Sequence, residues 1–101
     1  MKRVNIRARQ PRVHMDEDRQ ECFINGKRIH LTTAQFRILF ALRKSRRVLS
    51  RSVLLEHIHP GDESFDKEFI TVDLHINRLR RRIGFPLIET VIGVGFKYNG
   101  S

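Results

Sequence analysis

Asp66-Lys67-Glu68-Phe69-Ile70-Thr71-Val72-Asp73-Leu74-His75-Ile76-Asn77-Arg78-Leu79-Arg80-Arg81-Arg82-Ile83 is the stretch that decides how this chain is read. Phe69, Val72, Ile76, Leu79 and Ile83 recur at spacings of 3, 4, 3 and 4, which lines them up along one narrow edge of an α-helix. The pattern predicts a helix from Asp66, a plausible N-cap, to Ile83, stopped by Gly84 and Pro86. The apolar edge reads as core, with no cofactor implied. The other face carries Lys67, Ile70, Thr71, Leu74, Asn77, Arg78 and Arg81, with His75 and Arg82 at its margin. A rod sealed along one side and cationic along the other matches the width of a DNA major groove.

Upstream, two shorter helices are expected. Thr32-x-x-Gln35 has the form of a capping box, with Leu31 and Phe36 as its hydrophobic staple. Phe36, Leu39 and Phe40, with Ile38 and Leu42 at the margins, give an apolar stripe reaching about Lys44. Ser50 caps a second helix in which Leu54, Leu55 and Ile58 face inward and which Pro60-Gly61 ends, and Leu49 with Leu54 supplies its staple. Ser45–Leu49 is short enough to make the two helices a packed pair.

Both ends of the chain read as strands. Residues 3–9 alternate with the period of a half-buried strand that Pro11 ends. Glu21–Ile24 and Lys27–Leu31 are joined by Asn25-Gly26, a strong short hairpin signal because both turn residues tolerate positive φ. A short extra strand is expected near Arg12–Met15. Leu87–Val91 and Val94–Tyr98 flank Gly93 as a second hairpin, with Gly95 permitting close backbone approach. The expectation is one α+β domain over 1–101: an N-terminal sheet (1–31), a three-helix core (32–84) and a C-terminal hairpin (85–99).

Composition narrows the function. The 101 residues include 20 Lys and Arg against 11 Asp and Glu, a formal net charge of +9, which points to an anionic polymer or surface as partner. The charge is segregated. Arg37 to Arg51 contains six basic residues and no acid, and Arg78 to Arg82 has four arginines in five positions. The acids gather in Asp16–Asp18 and in Asp62, Glu63, Asp66 and Glu68. One charge run alone reads as a solvated face. Two basic segments with the acids held apart read better as two surfaces with different jobs.

Other classes find little support. No apolar stretch approaches the roughly 20 residues that span a bilayer, and Met1-Lys2-Arg3-Val4 lacks the apolar region of a secretion signal. Cys22 is the only cysteine, so no intrachain disulfide is available, and the composition suits a reducing cytoplasm. His57-x-His59 lacks two further spaced ligands for a metal. The consecutive carboxylates Asp16, Glu17 and Asp18 do not converge as an acid–base pair. Neither a Gly-rich phosphate loop nor a Ser/His/Asp arrangement occurs, and neither enzyme activity nor a cofactor is expected.

Thr71-Val72-Asp73-Leu74-His75-Ile76-Asn77-Arg78-Leu79-Arg80-Arg81-Arg82 resembles the third helix of OmpR/PhoB-type response-regulator effector domains. Ile88-Glu89-Thr90-Val91-Ile92-Gly93-Val94-Gly95-Phe96 resembles that family's wing, and Leu31–Phe36 and Val48–Leu55 fit its first two helices. The resemblance covers nearly the whole chain. It implies a winged helix-turn-helix: a four-stranded sheet, three helices and a hairpin wing, with helix three in the major groove and the wing at the neighbouring minor groove. By matching position, Thr71, Leu74 and Arg78 would read bases. His75, Asn77, Arg80, Arg81 and Arg82 would touch phosphates or base-pair edges, with Arg51, Lys67 and Lys97 as further backbone contacts.

The resemblance further implies a bacterial two-component transcription regulator that binds double-stranded DNA, in many members as dimers on direct repeats. It implies contact with RNA polymerase through the loop after helix two, here Pro60, Asp62, Glu63 and Asp66. The family usually has Arg where this chain has Ile70 and Ile92, so two phosphate or minor-groove contacts are expected to be missing. It also has a phosphorylated receiver domain. The chain is therefore expected to be a C-terminal fragment rather than a stand-alone regulator. The competing expectation is a winged helix that binds protein or RNA instead of duplex DNA.

Overall fold

The computed structural model describes residues 10–58 and 69–100, with the side chains of Phe69 and Ile70 outside that description. The expected strand at 3–9, the N-cap at Asp66 and Lys67 therefore lie outside the described residues, as does the whole 59–66 loop. The described chain runs β1 (Val13–Asp16), β2 (Glu21–Ile24), β3 (Lys27–Ile29), α1 (Thr33–Ser45), α2 (Arg51–Ile58), α3 (Phe69–Ile83), β4 (Ile88–Val91) and β5 (Gly95–Tyr98).

The first sheet has the order β1-β2-β3, all antiparallel. The strand expected near Arg12–Met15 is β1, one residue further along. Val13 pairs with Ile24 and Met15 with Cys22, so these four side chains enter the core from one face. Asn25 (φ 53°) and Gly26 (φ 80°) close the β2–β3 hairpin, as their tolerance of positive φ predicts.

The Thr32 capping box is complete. Gln35 N–H donates to Thr32 Oγ1 at 3.1 Å, and Thr32 N–H donates to Gln35 Oε1 at 3.0 Å. Such a cap is worth about 1 kcal/mol. The inward face of α1 is broader than its expected stripe: Ile38 and Leu42 are fully buried, whereas Phe40 is only half-buried. The reason is position, since α1 lies against α2, α3 and β5 and has neighbours on several sides. Ser50 caps α2 as expected, its Oγ accepting from Val53 N–H at 3.2 Å, and Leu54, Leu55 and Ile58 are buried.

The C-terminal hairpin β4–β5 pairs Ile88 with Tyr98 and Val91 with Gly95. It is fastened to the segment between α1 and α2 by an isolated bridge in which Leu49 N–H and Phe96 N–H each donate to the other's carbonyl, at 2.8 and 2.9 Å. A Cβ on Gly95 would collide with the Leu49 carbonyl oxygen, so close approach requires glycine there. Among the described residues no helix is long and apolar enough to cross a membrane.

Candidate nucleic-acid interface

α3 places one set of side chains inside and another outside. Val72, Ile76, Leu79 and Ile83 are buried in the core shared with α1, α2 and the hairpin. Gly84 N–H donates to the Arg80 carbonyl at 3.1 Å and closes the helix where the sequence predicts. Leu74, Asn77, Arg78, Arg81 and Arg82 are exposed, and Thr71 and His75 are half-buried. Thr71, Leu74, Arg78 and Arg81 follow spacings of 3, 4 and 3, so they share one outward face. Leu74 is 43% exposed on this face.

The arginines of this region divide into two groups. Arg78 and Arg81, together with Arg82, line a groove of about 500 Å³ whose other walls are His30, Leu31, Thr32 and Gln35. No acidic side chain among the described residues pairs with Arg78 or Arg81. Arg80 and Arg82 are anchored instead. Arg80 Nη2 donates to the Ile88 carbonyl at 3.0 Å and to Thr90 Oγ1 at 2.7 Å, and its guanidinium lies 5.8 Å from the Phe96 ring centre. Arg82 Nε donates to the His30 carbonyl at 2.8 Å, tying α3 to the end of the first sheet. Both therefore hold the helix in its setting, whatever charge they also present outward.

Arg51 is similarly engaged. Its Nε lies 2.8 Å from Asp73 Oδ1, and its guanidinium lies 5.2 Å from the Phe96 ring centre. Arg51 and Arg80 thus approach the same ring from α2 and α3, fixing the base of the hairpin beside the outward face of α3. Lys97 is exposed on β5, opposite Glu89. Pro60, Asp62, Glu63, Asp66 and Lys67 lie outside the described residues.

The basic run from Arg37 to Arg51 is not one open surface. Arg37 Nη1 donates to the Ile58 carbonyl at the end of α2, at 3.2 Å, and Arg46 Nη1 donates to the Gly100 carbonyl, also at 3.2 Å. Arg43 Nη2 donates to the Val13 carbonyl at 2.9 Å, joining α1 to β1. Arg43 also stands beside Cys22 and Tyr98. Burial raises the thiol and the phenol above their ordinary pKa values, and the Arg43 charge opposes that rise at both. Charge counting alone does not reveal these anchors, because their acceptors are carbonyls far along the chain.

Known proteins agree with this geometry. The family described as "Transcriptional regulatory protein, C terminal" is matched over residues 26–98. The transcriptional regulatory protein QseB of Haemophilus influenzae is 36% identical over 86 residues, covering 83% of this chain and 38% of that protein. The regulatory protein VanR of Enterococcus faecium is 38% identical over 82 residues, covering 76% and 36%. The chain thus spans under two-fifths of the length of these relatives. Among solved structures, the DNA-binding domain of Bacillus subtilis CssR superposes with a TM-score of 0.75 at 28% identity, covering 87% of this chain and all of that one. The AdeR DNA-binding domain, solved with an intercistronic region, gives a TM-score of 0.75 over 88% of this chain and 95% of that one; at 23% identity it speaks to fold alone. The chain belongs to the C-terminal family of transcriptional regulatory proteins, and its sheet, three helices and closing hairpin are the OmpR/PhoB-type winged helix.

Proposed function

We propose that this chain binds duplex DNA sequence-specifically, as the effector domain of a bacterial response regulator, with α3 in the major groove and the hairpin wing near the minor groove. One observation carries the reading: α3 seals Val72, Ile76, Leu79 and Ile83 in the core while leaving Leu74, Arg78 and Arg81 outward. Thr71, Leu74 and Arg78 read bases, Leu74 against thymine methyls and Arg78 in a two-pronged contact with guanine. His75, Asn77, Arg81 and Lys97 meet phosphates or base-pair edges, which set position without specifying sequence. Arg51, Arg80 and Arg82 add charge at that boundary while holding the helix and wing in place.

The same reading assigns the acidic 59–66 loop, with Pro60, Asp62, Glu63 and Asp66, to RNA polymerase, because its charge repels phosphates. In the full-length protein, two copies bind direct repeats in the cytoplasm, and the domain itself catalyses no reaction. Selection of bound sequences from random duplex DNA tests the proposal. Enrichment of a discrete motif supports it. Absence of duplex binding at low salt contradicts it and favours a protein- or RNA-binding module.

A further inference from the structure

The tip of the wing is apolar and bare. Ile92 is 92% exposed and Val94 55%, at the turn that Val94 N–H closes by donating to the Val91 carbonyl at 3.0 Å. From Thr90 to Phe96 the chain carries no charged residue. Lys97 and Glu89 face each other further back on the hairpin. The tip nevertheless projects from a fastened base. Phe96 is bridged to Leu49 in both directions, and Arg80 holds Ile88 and Thr90. A fixed aliphatic projection therefore stands beside a cationic helix, with no group on it to neutralise a phosphate.

Resting on the DNA-binding reading above, we infer that Ile92 and Val94 form an apolar minor-groove probe that selects flanking base pairs by shape. A hairpin fixed alongside a helix in the major groove extends across one phosphate ridge to the adjacent minor groove. That groove is narrow and walled by apolar sugar edges, and over A·T pairs its floor lacks the guanine amino group. A β-branched aliphatic tip packs against such a floor and is blocked by the amino group. Apolar side chains also enter the minor groove in other proteins, where they wedge between easily deformed base steps. The outward Arg78 and Arg81 on the neighbouring helix make duplex DNA the occupant that fits this tip.

The test uses the full 101-residue chain and three synthetic duplexes sharing the motif enriched by selection. Their flanks are A·T, G·C or inosine·C, the last presenting the G·C major groove without the minor-groove amino group. The A·T and inosine·C flanks should bind equally well and about fivefold or more tighter than G·C, the scale of one unfavourable base pair. Ile92→Ser should erase that difference, and its exposed position leaves folding intact. Equal binding of inosine·C and G·C flanks, or a preference that survives Ile92→Ser, overturns the probe while leaving major-groove reading standing. No duplex binding by the unaltered chain overturns the DNA reading itself, and the probe with it.

Discussion

Arg51 Nε on α2 lies 2.8 Å from Asp73 Oδ1 on α3, and the same guanidinium packs 5.2 Å from the ring centre of Phe96 on β5. One side chain thereby links α2, α3 and the closing hairpin. The ion pair is partly exposed, so its contribution to stability is small, under about 1 kcal/mol. A double-mutant cycle of Arg51→Ala and Asp73→Ala in urea should give a coupling of that size. A coupling several times larger would show that the pair is a principal support of the fold.

Arg80 offers a sharper separation of charge from geometry. Arg80→Lys keeps the cation but loses the planar guanidinium whose Nη2 reaches both the Ile88 carbonyl and Thr90 Oγ1 and which lies beside the Phe96 ring. It should destabilise the domain by about 1–2 kcal/mol, with faster amide exchange in β4 and little change in the salt dependence of DNA binding. Unchanged exchange in β4 would remove Arg80 from the wing's support.

Leu79 is fully buried at the centre of the α3 stripe. Leu79→Ala should cost on the order of 2–5 kcal/mol, seen as a large fall in Tm. Arg78→Ala, on the outer face, should leave Tm unchanged. It should weaken binding to the enriched site by about 1–3 kcal/mol while relaxing specificity at one position. An equal loss on all sequences would make Arg78 a phosphate contact only.

Stability should also fall at alkaline pH. Desolvation raises the Cys22 thiol above its ordinary value of 9.0, and Arg43 opposes the rise without cancelling it. A raised acid contributes stability that is intact below the unfolded pKa and lost as pH climbs through the folded one. Urea midpoints should therefore be level through neutrality and decline above about pH 9, less steeply in Cys22→Ala. Identical profiles for the two proteins would show that the thiol does not contribute.

The parts that were legible in the sequence are those governed by neighbours along the chain. Asn25-Gly26, the Thr32–Gln35 cap and the spacing of Val72, Ile76, Leu79 and Ile83 each act within one turn or a few turns, so their signals survive without tertiary context. The Leu49–Phe96 bridge and the carbonyl acceptors of Arg37, Arg43, Arg46 and Arg82 join distant segments. Residue type alone says that an arginine is charged, not where it is anchored. The burial of Ile38 and Leu42 escapes the stripe for a related reason: a central helix is buried on more than one side, and a single stripe under-describes it. At the site, the exposure of Leu74 and Arg78 followed from periodicity, whereas the fastening of Arg80 to the wing did not.

The most direct test of the central claim is a salt titration of binding to the enriched duplex. Log K should fall linearly with log salt, at a slope of about −0.9 for each phosphate that a Lys or Arg neutralises, and Arg81→Ala should lessen that slope by about 0.9. Binding that is undetectable at low salt, or indifferent to salt, would contradict a cationic helix face seated on DNA.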